Sequence, residues 1–270
     1  MSKNFLYNTI PGRLLLKPLT HPAVSKIAGA FLDTKLSKPV IPYFVKKCGI
    51  DVSEYDTDGI ETFNQFFRRP LTCGMRPFDT GENVLCAPCD GLLTAYKIED
   101  DLVFPVKQSI YSVSSLLKSR HVAEAYNGGL CLVFRLCVNH YHRYAYAVSG
   151  EKTCNRHIDG VLHTVRPVAL EVTPVFNENS REYTVIKNRE FGRVLQMEVG
   201  AMLVGRIKNH LMTSGTVTRG TEKGFFEYGG STIILLIEPD RLELDNKITE
   251  ASLSGKETPV IMGQPVGRAL

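Results

Sequence analysis

The chain has 270 residues, of which 43% are hydrophobic, and a formal net charge of +4. This length and apolar content allow a large core, in one big domain or in one domain with an appendage. No apolar run approaches the roughly 18 residues of a membrane-spanning helix, and we expect no secretory signal at the first residues. Seven cysteines without a framework-like spacing indicate reduced thiols in a cytosolic compartment.

The first 48 residues are strongly basic. They carry eight Lys or Arg residues against Asp33 alone, a net charge of +7, so the remaining residues sum to −3. Apolar residues recur there at helical spacing, namely Val24, Ile27, Ala28, Phe31 and Leu32. A basic amphipathic stretch of this kind lies on an anionic membrane surface, or packs on the main domain with its lysines in solvent. An organelle-targeting segment is a third interpretation, which lysines in place of arginines weaken.

After Gly49 the composition becomes ordinary, and short apolar runs alternate with turn residues. Residues 62–70 are typical of a short helix that ends before a proline, and 112–117 form the best candidate for an interior helix. Strands are predicted at residues 91–98, 130–138, 160–165, 182–186, 194–199, 202–207 and 225–237. The sequence therefore predicts a β-rich α+β fold.

The Gly229-Gly230-Ser231-Thr232 motif directly precedes the most apolar run of the chain, residues 233–237. In the ordinary interpretation, the glycines form a bulge in a strand. In the alternative, the Ser231 hydroxyl attacks the Gly230 carbonyl and exchanges the amide for an ester. Elimination of that ester leaves dehydroalanine, which hydrolyses to a pyruvoyl group and ammonia. This chemistry needs a strained peptide, a base and donors for the oxyanion, and the motif alone leaves both interpretations open.

Two histidines, His140 and His142, are the candidate bases. If the preceding strand continues, both imidazoles and Tyr144 point to one face. Asp90, which precedes Gly91, is a turn aspartate in the ordinary interpretation and a carboxylate that orients a histidine in the functional one. No third ligand stands at a typical spacing from the two histidines, so we expect no metal site.

Cys86 and Cys89 have the spacing of a redox motif or of half a zinc site. No second Cys pair or His pair completes a zinc site, and no thioredoxin-like pattern surrounds them. We therefore expect two buried thiols.

Eight separated segments together resemble the phosphatidylserine decarboxylase proenzyme family, in family order over about residues 60–240. They are residues 66–70 (Phe-Phe-Arg-Arg-Pro), 87–91, 141–143 (Tyr-His-Arg), 163–167, 177–181, 199–205, 223–226 and 229–232. The resemblance implies self-cleavage between Gly230 and Ser231, which turns Ser231 into a pyruvoyl cofactor. By position, it also implies that Asp90 and His142 complete the catalytic set. The implied activity converts phosphatidylserine to phosphatidylethanolamine and CO2 through a Schiff base to the pyruvoyl group.

The chain departs from the family pattern at three positions. His140 stands where the family commonly has aspartate, and Ala145 stands where one branch has a second histidine that it needs for self-cleavage. His142 therefore does two jobs, or His140 supplies the missing function as an auxiliary residue. Gly229 replaces a leucine that much of the family has, a change that we expect to be harmless.

The resemblance also implies an organisation in two parts. Residues 1–60 form a basic, mainly helical membrane-contact region, and residues 61–270 form a compact catalytic body. Cleavage yields a heterodimer of chains 1–230 and 231–270, with further dimerisation left open. The expected partners are phosphatidylserine and an anionic membrane surface, with no nucleic acid, at the cytoplasmic face of a bacterial-type cell membrane. The alternatives are an inactive lipid-binding module of the same fold and a pyruvoyl decarboxylase for a soluble amino acid.

Overall fold

The computed structural model describes residues 9, 11, 20–99, 103–106, 109–165, 169, 175–201, 207–227 and 231–270. Its helices are α1 (Pro22–Leu32), α2 (Val40–Cys48), α3 (Phe63–Phe67), α4 (Val113–Leu117), α5 (Arg120–Glu124), α6 (Val175–Glu178) and α7 (Asn246–Leu253). Short 3-10 turns lie at Lys35–Ser37 and Val52–Glu54. In the described part of the chain, no helix is both long and apolar enough to cross a bilayer.

Strands make up most of the body. They are β1 (Val84–Cys86), β2 (Gly91–Lys97), β3 (Val103–Val106), β4 (Ser109–Ser112), β5 (Leu130–Leu136), β6 (Arg143–Ala145), β7 (Gly150–Lys152), β8 (Arg156–Ile158), β9 (Arg181–Asn188), β10 (Gly192–Val199), β11 (Ile207–Asn209), β12 (Gly215–Val217), β13 (Glu222–Phe226), β14 (Ser231–Ile237), β15 (Glu243–Leu244), β16 (Thr258–Val260) and β17 (Pro265–Arg268). The β-rich α+β fold class is confirmed.

A nine-stranded antiparallel sheet is the centre of the fold. Its strand order is β12-β7-β9-β10-β14-β5-β2-β16, with β8 paired to β9 off this path. Strand β14 lies between β10 and β5, and all seven of its residues are buried. Smaller sheets, β11-β13-β6 and β1-β17-β15, and the β3-β4 hairpin complete the body.

Both faces of the large sheet are apolar, because alternate residues of a strand point to opposite sides. Ile234 and Leu236 pack in one core cluster with residues of α4, α5 and α6. Ile233 and Leu235 pack in the other, with residues of β1, β6, β13 and β17. Burying each such side chain stabilises the fold by about 1.5 to 3 kcal/mol. Strand β14 therefore anchors both layers.

The N-terminal helices are attached to the body through a third core cluster, which is largely aromatic. The Phe44 ring of α2 lies 5.0 Å from the Phe63 ring and 6.5 Å from the Phe67 ring of α3, measured between centroids. The Ser37 hydroxyl accepts a hydrogen bond from the Phe63 N–H at 2.8 Å. Tyr141 belongs to the same cluster, so the N-terminal helices also pack against the segment that follows β5. The described part of the N-terminal region is mainly helical, as predicted.

Most predicted elements are confirmed. Residues 91–98, 130–138, 182–186 and 194–199 correspond to β2, β5, β9 and β10, and residues 225–237 form parts of two strands, β13 and β14. Thr62 and Gln65 form a capping box at the start of α3, and the Ser112 hydroxyl caps α4. Most of residues 202–207 lie outside the described residues. The sequence missed α2, whose Pro42 lies in the first turn, where a missing N–H costs little.

The prediction of a strand at residues 160–165 is wrong. Only Val161 forms a bridge, to Asn179. The Asn179 amide accepts from the His163 N–H and donates to the His163 carbonyl, both at 2.8 Å. Because a side chain satisfies both backbone groups of His163, they are not available to a neighbouring strand.

Replacement of Phe44 tests the attachment of the N-terminal helices. Phe44→Ala removes a buried ring from the aromatic cluster and should lower the free energy of unfolding by about 3 to 5 kcal/mol. The neighbouring Tyr43 is 64% exposed, so Tyr43→Ala should cost less than about 1 kcal/mol. Urea unfolding of both variants provides the measurement. Equal midpoints would show that α2 does not depend on the cluster.

Candidate active site

Ser231 is the first residue of β14 and is fully buried. It pairs with Leu136 of β5, and its side chain lies on the same face as that of Ile233. Its Oγ makes no hydrogen bond to any described residue. A buried hydroxyl without a partner costs about 1 to 3 kcal/mol, so this position carries a polar group that the fold itself does not use. Gly229 and Gly230 lie outside the described residues, and so does the predicted glycine bulge.

His142 is fully buried beside α3. Its Nδ1 lies 2.8 Å from the carbonyl oxygen of His140, which can only accept a hydrogen bond, so Nδ1 carries the proton. In the neutral ring the lone pair is then on Nε2, the nitrogen that can act as a base. The imidazole lies 4.0 Å from the Phe67 ring, centroid to centroid. The Phe226 N–H donates to the His142 carbonyl at 2.9 Å, so β13 holds the backbone of this residue.

His140 has a different environment, because the strand does not continue through this segment. Strand β5 ends at Leu136 and β6 begins only at Arg143, so the predicted alternation of the histidines along one strand face is wrong. The His140 N–H donates to the Cys137 carbonyl, and the His140 Nδ1 accepts from the Cys137 N–H, both at 3.0 Å. These reciprocal bonds close a tight turn, and they place the proton of the neutral His140 ring on Nε2.

Burial and two charged side chains together shift the pKa of His140. Burial lowers the pKa of His140, the Asp90 carboxylate partly opposes that shift, and the Arg135 guanidinium adds to it. His140 is therefore biased towards the neutral form. The two imidazoles thus differ in tautomer and environment, although only Tyr141 separates them in sequence.

Asp90 lies between β1 and β2 and is held by a bidentate ion pair. Arg76 donates through Nε to Oδ1 at 3.1 Å and through Nη2 to Oδ2 at 3.0 Å. The Met262 N–H donates to Oδ1 at 2.8 Å, and Arg76 also reaches Glu54 at 2.9 Å. The contact on Nδ1 of His142 comes from a backbone carbonyl, whereas Asp90 acts on the adjoining His140 through its charge. An orienting role of Asp90 stays a prediction.

A buried ion pair lies close to Ser231 on the same face of the sheet. Glu198 of β10 is opposite Ile233, two residues from Ser231, and its Oε2 is 2.6 Å from the Nζ of Lys223. Both side chains are fully buried, and Asn209 bonds to both. Burial raises the pKa of Glu198, and Lys223 opposes that shift. The pair joins the large sheet to the β11-β13-β6 sheet beside the candidate nucleophile.

Sequence reasoning missed Arg76, Phe67 and the Glu198–Lys223 pair. The acidic Glu198 inside an otherwise apolar strand was a usable signal, since a buried carboxylate needs a partner. Nothing local indicated that Arg76 would reach Asp90. Cys86 and Cys89 are free, buried thiols, as predicted. The described residues contain no group of three or more His, Cys, Asp or Glu side chains arranged to hold a metal ion.

The fold and the site define a β-rich α+β protein with a buried candidate nucleophile, Ser231, and a positioned candidate base, His142. The family profile described as phosphatidylserine decarboxylase matches residues 63–268. The chain belongs to this family, which confirms the resemblance seen in its motifs.

Curated relatives agree with this assignment over nearly the whole chain. The phosphatidylserine decarboxylase proenzyme 2 of Clostridium acetobutylicum is 43% identical over 97% of this chain and 90% of its own length. The proenzyme of Ruminiclostridium cellulolyticum is 39% identical over 99% of this chain and 91% of its own. The proenzyme of Clostridium botulinum is 40% identical over 90% of this chain and 83% of its own length.

Proposed function

We propose that this chain is a self-processing phosphatidylserine decarboxylase, which cleaves itself between Gly230 and Ser231 and then converts phosphatidylserine to phosphatidylethanolamine and CO2. The observation that supports this most directly is the fully buried Ser231, whose hydroxyl has no partner among the described residues. A buried hydroxyl without a partner destabilises the fold, so its presence directly after Gly230 favours a chemical role. Membership of the family and the names of the relatives supply the substrate class.

In the proposed cleavage, the Ser231 Oγ attacks the carbonyl carbon of Gly230 while Nε2 of His142 takes the hydroxyl proton. The peptide C–N bond breaks, and an ester joins Gly230 to the serine oxygen. Loss of the α-proton of residue 231 and rupture of its Cβ–Oγ bond release Gly230 as a carboxylate and leave dehydroalanine. Tautomerisation and attack by water release ammonia and leave the ketone, so the overall reaction consumes one water.

The surroundings of Ser231 fit a pyruvoyl group. This group is small and uncharged and takes the place of the Ser231 residue, which is fully buried near Leu136 and Ile233. A water-poor site of this kind protects a reactive ketone. The pyruvoyl group supplies an electron sink for the pair of electrons released when the substrate loses CO2.

The side chains near this position transfer protons or hold in place the groups that do so. His142 is suited to return a proton from Nε2 to the substrate α-carbon after CO2 leaves, because its Nδ1–H is held by the His140 carbonyl. The Asp90 carboxylate favours positive charge in the histidine segment, and Arg76 fixes its position. His140 is the auxiliary candidate on this proposal.

The two products should stay together as a heterodimer. Chain 231–270 would contribute β14, which pairs with β10 and β5 of the other chain along its length. It would also contribute β16 and β17, which pair with β2 and β1. Hydrogen bonds and two buried apolar faces therefore hold the cleaved pieces.

Exposed features of the N-terminal helices support contact with an anionic membrane. Apolar side chains stand in solvent there, with Ile27 72%, Leu36 77% and Phe31 52% exposed. Lys46 and Lys47 are also exposed, on α2. Apolar groups that enter the headgroup layer, with lysines around them, bind anionic bilayers peripherally. We place the enzyme at the cytoplasmic face of a bacterial cell membrane.

Mutation of the nucleophile tests the proposal. Ser231→Ala should leave one full-length chain without decarboxylase activity, because alanine has no hydroxyl and cannot become a pyruvoyl group. The wild-type protein should give chains 1–230 and 231–270, the second with a blocked N-terminus, by intact mass spectrometry. An uncleaved wild-type chain that still binds vesicles would instead identify an inactive lipid-binding module. A soluble amino acid accepted in place of phosphatidylserine would identify the other alternative.

The roles of the two histidines can be separated by a time course of cleavage after cell-free synthesis at neutral pH. His142→Ala should slow cleavage by about 100- to 10,000-fold, the usual contribution of a general base. His140→Ala should still cleave, more slowly, because its turn shapes the backbone that holds His142. Asp90→Asn should be slowed as well, since it removes the negative charge. Normal cleavage by His142→Ala with a block in His140→Ala would reverse the assignment.

Vesicle sedimentation tests the membrane surface. Binding of the wild-type protein should strengthen with anionic lipid and weaken with salt, because charges near the surface are screened. The double variant Lys46→Ser/Lys47→Ser should bind about 10- to 30-fold more weakly, at roughly 1 kcal/mol for each lysine. Lys247→Ser/Lys256→Ser removes two exposed lysines from the opposite end of the sequence and is the matched control. Equal losses in both double variants would argue for a general charge effect and against this surface.

A further inference from the structure

Arg143, the residue after His142, contacts two separate elements with one guanidinium group. Its Nε donates to the carbonyl of Arg68 at 2.7 Å, and its Nη1 lies 3.0 Å from Oε1 and 3.2 Å from Oε2 of Glu222. Its guanidinium carbon is 5.5 Å from the centroid of the Phe225 ring. The Arg143 side chain is 22% exposed and that of Glu222 34%, so water reaches the ion pair, whereas the bond to the Arg68 carbonyl is partly buried.

Each element that Arg143 contacts also touches His142. Arg68 is the C-cap of α3, and the ring of its neighbour Phe67 packs against the imidazole in a tilted arrangement, 4.0 Å between centroids. Glu222 begins β13, whose Phe226 N–H donates to the His142 carbonyl. His142 therefore contacts α3 through its ring and β13 through its backbone carbonyl, and Arg143 links these two elements directly.

The backbone around His142 needs such a link. The segment between β5 and β6 is irregular, and β6 is only three residues long, so few ladder hydrogen bonds hold it. The register between β13 and β6 also shifts between Glu222 and Gly224. A base must be held within a fraction of an ångström of its productive position, and a regular sheet does not do this here.

We propose that Arg143 is a positioning residue for His142 in self-cleavage, acting by joining α3 to β13 around the imidazole. This inference rests on the proposed function. Arginine suits the task because its planar guanidinium presents several donors in fixed directions, so one side chain can reach the helix-end carbonyl and the carboxylate together. A lysine has one compact charge and satisfies one acceptor well.

An ion pair with only a structural role would affect stability and cleavage rate differently from a positioning residue. An exposed Arg–Glu pair contributes about 0 to 1 kcal/mol to stability and nothing to the rate of a reaction elsewhere. A positioning residue changes the rate of cleavage by more than its effect on stability explains. The matched control is Arg219, which is also half-buried and donates to the carbonyls of Asp79, Gly81 and Val84 rather than to the His142 segment.

The experiment follows cleavage of full-length protein after a short pulse of cell-free synthesis, together with thermal unfolding of each variant in a Ser231→Ala background. Arg143→Met should cleave about 10- to 100-fold more slowly than wild type, whereas Arg219→Met should stay within about threefold at a similar loss of melting temperature. Arg143→Lys keeps the cation beside Glu222 and should recover part of the rate.

Cleavage of Arg143→Met within about threefold of Arg219→Met would overturn the inference while leaving the proposed function intact. If Arg143→Met shows no cooperative unfolding, the cleavage rates of Glu222→Gln and Arg143→Lys test the inference instead. If these two variants cleave more slowly than Arg219→Met at equal stability, the positioning role is supported. If they cleave at the same rate as Arg219→Met, it is refuted. A wild-type chain that stays uncleaved would contradict the proposed function itself.

Discussion

The pairing of β14 with β5 and β10 fixes which hydroxyl of the Ser231-Thr232 pair faces which side of the sheet. Successive residues of a strand point to opposite faces, so a slip of one residue would exchange the two side chains. Each buried side chain of β14 is packed into one of two close-packed cores, and a slip would exchange side chains of different shape between them. The apolar run is thus more than a core strand, since it sets the orientation of Ser231.

The candidate base, His142, lies on an irregular segment rather than on a long strand. His142 is in an irregular connection between β5 and β6, where no long ladder fixes the backbone. Its geometry comes from particular contacts: the reciprocal bonds of His140 with Cys137, the tilted ring contact with Phe67 and the bond from Phe226. A regular strand presents the candidate nucleophile and an irregular turn presents the candidate base, so the two depend on different features of the sequence.

This division explains how much could be predicted from the sequence. The β-branched run of β14 and the Ser112 cap are local signals, and the elements they indicate are present. Family resemblance supplied Asp90, His142 and Ser231 as candidates. The contacts around them could not be predicted, because Arg76 reaches Asp90 and Phe67 reaches His142 across stretches of chain that carry no mutual pattern. The end of β5 at Leu136 was missed for a different reason, since the local hydrogen bonds between His140 and Cys137 compete with the strand.

The same contacts connect the proposed membrane surface to the proposed base by a short path. On α2, Tyr43 faces solvent while Phe44 points into the aromatic cluster, where its ring is 6.5 Å from that of Phe67. Phe67 in turn lies 4.0 Å from the His142 ring. Two aromatic rings therefore separate α2, which carries the exposed Lys46 and Lys47, from the imidazole. Close-packed rings transmit small displacements because they cannot be compressed. A substrate that stays in the bilayer requires this proximity, since its headgroup can leave the membrane surface only by the length of its own tether.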